Sequence, residues 1–421
     1  MIVSEVDRGA VWNENQALHF RQTGTTFVTV DADGVSATLS AAVTGTEPVA
    51  LPYSFNTQGL VADGKFYLYS VATGFDEVTD PDLGSPIDCV WVDGYYFFTD
   101  GDYLYHTDLA DETAIDPLKF ATSEFSPDPT IGVGLTTDNK VIAFNRYTTE
   151  YFINQANAQF AFTRLPSRNV NAGIVATHGK VQINGVWYCC GNSKGSALTI
   201  YRLDTGGITD LANRQIGKIL QQYTDSDLAN MVMESRQVDN YQYLIVHLPN
   251  ETLLYNFTIG QAAGNDMAWS YLASDTNQLA TIPYRGINGV YDPRRAQWVY
   301  GDRYTAELSY LDMSVATHLG DIAQCAIYTP FIYLETASID ELEIDTIPGF
   351  TSTDDADVFL SLTYDGVTYG TEATVAYGAP SAYTQRFIAR RLGYIDRKFG
   401  MKFGWASRSR MAFATSTLRA S

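Results

Sequence analysis

One stretch of this chain has the spacing of a catalytic nucleophile. Gly191-Asn-Ser-Lys-Gly195 fits the pattern G-x-S-x-G, in which a sharp strand-to-helix turn lifts a serine above a parallel sheet. Here Trp187-Tyr-Cys-Cys leads in and Ala197-Leu-Thr-Ile-Tyr-Arg-Leu leads out, a strand–loop–strand pattern that predicts Ser193 as a hairpin-loop residue. The five histidines, His19, His106, His178, His247 and His318, are scattered through strand patterns, and none forms H-E-x-x-H or an i, i+4 pair. Acidic clusters at Asp76-Glu-Val-Thr-Asp-Pro-Asp, Asp100-Gly-Asp and Asp354-Asp-Ala-Asp have oxygens that a calcium ion accepts, yet none follows the EF-hand spacing, and they are predicted as solvated loops. A propeller glycosidase would need paired carboxylates facing a channel. With 48 acidic residues some pair is always near, so composition gives that chemistry no support. No phosphate-binding glycine motif occurs. No catalytic residue, metal site or cofactor is therefore assigned.

The elements that must hold these residues are strands. Of 421 residues, 13% are aromatic, with 28 Tyr and 21 Phe, against only 18% charged. That balance suits a pleated, half-buried surface and opposes coiled coil, collagen or disorder. No apolar run approaches the roughly 18 residues that cross a bilayer as a helix, and no membrane-spanning segment is expected. The start, Met1-Ile-Val-Ser-Glu-Val-Asp, lacks the features of a secretory signal. The four cysteines, Cys89, Cys189, Cys190 and Cys325, make no C-x-x-C, and neighbours in a strand face opposite ways, as expected of a chain folded in a reducing cytoplasm. Asn250-Glu-Thr and Asn256-Phe-Thr are read as chance glycosylation patterns.

One unit recurs: a strand, a turn opened by Asp or Asn, then an aromatic strand. Copies start at Asp63-Gly, Asp93-Gly, Asp138-Asn, Asn184-Gly, Asp239-Asn and Asp292-Pro, at intervals of 30 to 55 residues. Asp-Gly and Asn-Gly suit two-residue hairpins, whose central positions need positive φ. Several copies add a second turn and another strand, as in Asp93–Leu109 and Asp239–Thr258. A meander repeating at such intervals predicts an all-β chain, a β-propeller over residues 1–320, with a stacked sandwich as the alternative architecture. Six copies predict six blades. The segment Ala17–Leu39 is either a seventh blade or the strands that close the ring. Helical spacing of Leu211, Ile216, Ile219, Leu220 and Tyr223, with Thr224-Asp-Ser-Asp as an N-cap signal, predicts a helical insertion at about 210–236. From 322 to 421 alternating strands with a hairpin at Asp365-Gly predict a separate β-sandwich.

Charge is unevenly placed. The net value is −21, and a surface this acidic repels phosphate and opposes non-specific nucleic-acid binding. Residues 386–421 nevertheless hold nine Lys/Arg and one acid, a local +8 that leaves −29 for the rest. Arg386, Arg390, Arg391, Arg397, Lys398 and Lys402 are thus candidates for an assembly interface with an acidic neighbour. The alternative is a basic strand face that neutralises acids of its own chain.

Several stretches together resemble the packaged-DNA stabilisation proteins, or tail hubs, of short-tailed bacteriophages. They are Thr107-Asp-Leu-Ala-Asp-Glu, Ile131-Gly-Val-Gly, Thr149-Glu-Tyr-Phe, the long block from Lys218-Ile-Leu-Gln-Gln-Tyr to Met233-Glu-Ser, Tyr243-Leu-Ile-Val-His-Leu-Pro, Leu253-Leu-Tyr, Phe359-Leu-Ser-Leu-Thr-Tyr-Asp-Gly and Arg390-Arg-Leu-Gly. The resemblance covers most of 60–260 and 355–405, in family order. It implies a virion structural protein without enzymatic activity or cofactor. It implies a homo-hexamer docked below the portal and its adaptor ring, the head-to-tail connector. That ring closes the DNA exit, retains the packaged genome, and carries the tail needle or plug and the tailspikes. Double-stranded DNA then passes through it without sequence recognition. The family also has an N-terminal stretch not found in this sequence, so the contacts of that stretch are not assigned here. The rival expectation, from the aromatic and acidic load alone, is a carbohydrate-binding or glycan-degrading propeller. A third is a chromosomally encoded bacterial scaffold propeller.

Overall fold

A computed structural model describes residues 7–109, 111–274, 282–334, 336–351 and 356–421. The chain divides into two compact units, one of residues 1–273 and 283–311, the other of residues 274–282 and 312–421.

The first unit is a β-propeller. Its described residues form seven antiparallel sheets of three to five strands in chain order. Their first strands are Asp7–Asn13, Gln58–Ala62, Asp88–Val92, Thr130–Leu135, Gly173–Ile174 with Lys180–Ile183, Val232–Val238 and Gly286–Asp292. The six Asp- or Asn-headed copies supply sheets two to seven. Segment Ala17–Leu39 belongs to a four-stranded sheet of its own, completed by Asp7–Asn13. The Asp/Asn-headed count stops at six because the first hairpin turns through Asn13–Ala17, with positive φ at Ala17, and carries no Asp-Gly or Asn-Gly signal.

The hydrophobic cores lie between successive sheets. Phe20 and Phe27 of sheet one pack with Leu60 and Tyr67 of sheet two. Phe66 of sheet two packs with Tyr96 and Phe98 of sheet three. Phe97 then meets Val133 and Phe152 of sheet four, and Phe144 meets Cys189 and Tyr201 of sheet five. Tyr188 and Cys190 of sheet five pack with Met233 and Leu244 of sheet six. Neighbouring cysteines thus serve opposite faces, as strand alternation requires. Sheet seven closes on sheet one through Arg21, whose guanidinium donates to the carbonyls of Asn288 (3.0 Å) and Val299 (3.3 Å).

The helical insertion is shorter than 210–236. Asp210 ends the strand Gly207–Asp210, helices occupy Arg214–Leu220 and Asp225–Leu228, and the chain is back in strand by Val232. The Thr224 signal forms a capping box with Asp227, and Asn213 caps the earlier helix by accepting from the Ile216 N–H. Ile216, Ile219 and Leu220 are buried in the core between sheets five and six. A further pair of helices, Phe257–Ala263 and Asn265–Ala268, connects the last two strands of sheet six and has no counterpart in the sequence pattern. Asn256 caps its start by accepting from Thr258 and Ile259 N–H.

The second unit is a β-sandwich. One sheet orders Phe387–Ile395, Ala337–Thr346 and Phe413–Ala420. The other centres on Lys398–Ala406, flanked by Gln324–Tyr328 and Asp357–Thr363. Ile339, Leu342 and Ile344 of the first face Val358, Leu360, Phe399 and Met401 of the second across a buried core.

Candidate assembly surfaces

The first strands of the propeller carry buried charge around a central cavity of about 1020 Å³, lined among others by Arg8, Asp88, Lys180 and Glu234. Each of these charges ties one sheet to another segment. The Asp88 carboxylate of sheet three accepts from Lys180 Nζ of sheet five at 2.8 Å and from the Val133 N–H of sheet four at 2.8 Å. Glu234 of sheet six accepts from the Gly289 N–H of sheet seven at 2.8 Å and lies 3.1 Å from His247 Nε2. Burial works to raise the Glu234 carboxyl, but His247, Arg236 and that N–H outweigh it and hold the carboxyl below its usual range. Burial keeps His247 itself below its ordinary value. Arg8, fully buried, donates to the carbonyls of Glu47 (2.8 Å) and Gly24 (3.0 Å) and to the Glu47 carboxylate (3.2 Å). Asp7 and Arg21 pair at 2.6 Å, and Asn288 of sheet seven donates to Asp7 at 2.8 Å. Two indoles repeat the device with N–H donors: Trp187 to Leu135 O at 2.8 Å and Trp298 to Gln237 O at 2.7 Å. The arrangement locks a ring; these charges hold sheets together rather than face one another as an acid and a base across a substrate site. None of them is legible in the sequence, since one buried Asp or Lys in a strand has no sequence signature.

Ser193 lies on a loop between strands, its hydroxyl 2.7 Å from Ser196 Oγ. Gly191 is glycine for a packing reason, because a Cβ there would run into the Gly173 carbonyl of the neighbouring strand. His19, His106 and His247 are buried within strands, and His318 Nε2 lies 2.6 Å from Ser274 Oγ. Burial pushes the thiols of Cys189 and Cys190 up to about 12, which makes them inert. No group of three or more His, Cys, Asp or Glu side chains suited to a metal occurs among the described residues. Asp354-Asp lies outside them. The cluster at 76–80 does not float free, however. Asp76, Glu77 and Asp80 line a second cavity of about 930 Å³ between sheets two and three.

The six basic candidates are divided between both sheets of the sandwich. Arg386 makes two hydrogen bonds to Glu343, at 2.7 and 2.6 Å, and Arg390 bonds Glu341 at 3.0 Å. Arg419 reaches the same Glu341 from the opposite flanking strand at 3.2 Å. The central strand therefore presents two carboxylates clasped by three arginines. Lys402 pairs with Glu372 at 3.5 Å, and Lys398 stands 4.0 Å from the centre of the Phe331 ring. Arg391, at positive φ, and Arg397 are exposed and have no ion-pair partner among the described residues.

Comparison with known proteins gives matches along nearly the whole chain. A family model described as Bacteriophage P22 Gp10, beta-propeller, matches residues 2–316, and one described as Bacteriophage P22 Gp10, beta-sandwich, matches residues 324–421. The tail hub protein gp10 of Salmonella phage P22 is 28% identical over 347 residues, covering 81% of this chain and 71% of that protein. Among solved structures, virginiamycin B lyase from Staphylococcus aureus aligns with a TM-score of 0.46 at 11% identity, over 71% of this chain and 92% of that one. The extracellular domain of a two-component-system protein from B. thetaiotaomicron aligns with a TM-score of 0.45 at 10% identity, over 93% of this chain and 46% of that one.

Proposed function

Because the chain belongs to the Bacteriophage P22 Gp10 family, we propose that it is the tail hub of a short-tailed phage, docked as a homo-hexamer below the portal–adaptor assembly. There it closes the DNA exit after packaging and holds the needle and tailspikes. The observation that carries this reading is the match of both family models, propeller then sandwich, in order over residues 2–316 and 324–421. The protein is a structural component of a phage tail and not an enzyme, and its mechanism is one of assembly geometry.

The physics supports the finer reading. A ring needs a heterologous contact, two different faces of one subunit that match. The chain offers unlike charges for that purpose, an acidic propeller and the exposed arginines Arg391 and Arg397 of the second unit. An acidic conduit wall repels the duplex weakly, so DNA slides without adhering. Four unpaired cysteines agree with synthesis in the host cytoplasm before assembly.

Electron microscopy of the purified protein mixed with its cognate portal–adaptor assembly tests the proposal. Six copies capping the assembly are expected. A chain that stays free in the mixture would overturn the docking, and a glycan-binding screen would then decide the rival.

A further inference from the structure

The cavity between sheets two and three has features that ring closure does not use. Phe55 and Leu109 stand in it 69% and 64% exposed. Phe55 meets the Trp91 ring edge to face, with centroids 5.0 Å apart. The Trp91 indole N–H is buried and has no acceptor among the described residues. Around this apolar floor run five carboxylates, Asp76, Glu77, Asp80, Asp111 and Glu112. Among the described residues only Glu77 has a cation, Lys65 at 3.0 Å. The rest of the bonded ones are oriented by neutral donors: Asp80 by Ile115 N–H, Asp111 by Thr113, and Glu112 by the Thr57 hydroxyl at 2.6 Å. The hydrogen bonds from Thr113 hold the Asp111 carboxyl below its usual range, so it stays charged.

Exposed apolar side chains inside a concavity mark a contact site, and a cleft walled by one sign of charge concentrates the opposite sign. Neutral hydroxyls of a glycan would leave four carboxylates uncompensated, and phosphate is repelled. We propose that this groove docks an extended peptide segment of a partner protein in which lysines or arginines flank a large apolar side chain. The apolar side chain covers Phe55 and Leu109, and the flanking cations meet Asp111, Glu112, Asp76 and Asp80 around them. The segment binds by its side chains rather than by adding a strand. The neighbouring edge strand, Asp111–Ala121, is interrupted by Pro117 and by two register shifts, which blunt it against pairing. The inference does not depend on the hub reading.

The test uses the full chain and a fluorescein-labelled nonapeptide of alternating lysine with phenylalanine or leucine, titrated by fluorescence anisotropy at 0.15 M salt. Saturable binding is expected, and none to the same peptide with glutamate in place of lysine. Asp111→Asn/Glu112→Gln and, separately, Phe55→Ser should each weaken binding about tenfold, a loss in the range of a charge-assisted or apolar anchor contact. Asp31→Asn/Asp33→Asn, which removes the same charge at a remote turn, should change it by less than about twofold. Thermal melting of each variant confirms that it is folded. Equal weakening by the groove and remote pairs would mean attraction to net charge alone and would overturn the proposal. So would absence of saturable binding, or binding of a neutral hexasaccharide that the groove variants abolish while the peptide does not bind.

Discussion

Asp88 and Lys180 join sheets three, four and five through side chains that are 5% and 8% exposed. Removing one partner of such a pair leaves the other charge buried and uncompensated. Lys180→Met should therefore destabilise the propeller by about 3–5 kcal/mol, read as a fall in the denaturant midpoint. Asp88→Asn/Lys180→Met should recover part of that loss, because no net charge remains inside. A double variant no more stable than Lys180→Met would show that the pair is not the source. Two histidines, His19 buried and His178 partly buried, make a second prediction at this scale. Burial, with Arg21 beside it, lowers His19 to about 3, and burial lowers His178 to about 4. Both folded values lie below the unfolded one, about 6.5. The unfolded chain thus binds the extra protons, so stability is complete above about pH 6.5 and falls as pH drops toward 3–4. Each group should cost about 1.4 kcal/mol per pH unit in that window. Denaturant midpoints at pH 7.5 and 5.5 check this, and His19→Gln should show the smaller difference between them.

At the scale of elements, hairpin signals were legible because the turn needs a backbone conformation that few residues tolerate. Asp63-Gly64, Asp93-Gly94 and Asn184-Gly185 all have positive φ at both positions, and each joins the first two strands of a sheet as the sequence indicated. What escaped the sequence was set by tertiary contact. The first sheet turns through a longer, unmarked loop. Val232–Val238 falls within the stretch expected to be helical but forms the first strand of sheet six, paired with Tyr241–His247. The helix at Phe257 is started by one Asn side chain that reads equally well as the end of a strand. None of the ring-locking side chains has a local signature, because their partners lie 92 residues away for Lys180 and Asp88, 278 for Arg21 and Val299, and 281 for Asn288 and Asp7. Gly191 gives the sharpest test of what its motif means. If it is a packing glycine, Gly191→Ala should cost about 2–3 kcal/mol by forcing two strands apart, while Ser193→Ala should stay within about 0.5 kcal/mol. Thermal melting of the two variants reads both. A stability loss on changing Ser193 alone would contradict the loop assignment.

At the scale of the whole molecule, charge separation was legible from counting, but its use was not. The basic C-terminal stretch is a candidate docking face or an internal counter-charge, and its residues differ in whether their charge is already met within their own sheet. Arg386, Arg390 and Arg419 clasp Glu343 and Glu341 within their own sheet, so their charge is already met. Arg391 and Arg397 have no such partner among the described residues, and a neighbour can use them without first breaking a bond. If the hub docks on an acidic ring through this unit, Arg391→Glu/Arg397→Glu should weaken capture by the portal–adaptor assembly about tenfold or more, as charge reversal at a steered contact does. Melting temperature should be unchanged, since no intramolecular pair is lost. Arg386→Gln should do the reverse, slightly lowering the melting temperature through loss of its exposed pair with Glu343 and leaving capture intact. Raising salt from 0.05 to 0.3 M should reduce capture of the unaltered chain and barely affect the double variant, because screening acts on the charges that reversal has removed. Co-sedimentation with the assembly measures both. Unchanged capture by the Arg391/Arg397 double variant would place the docking face elsewhere on the chain.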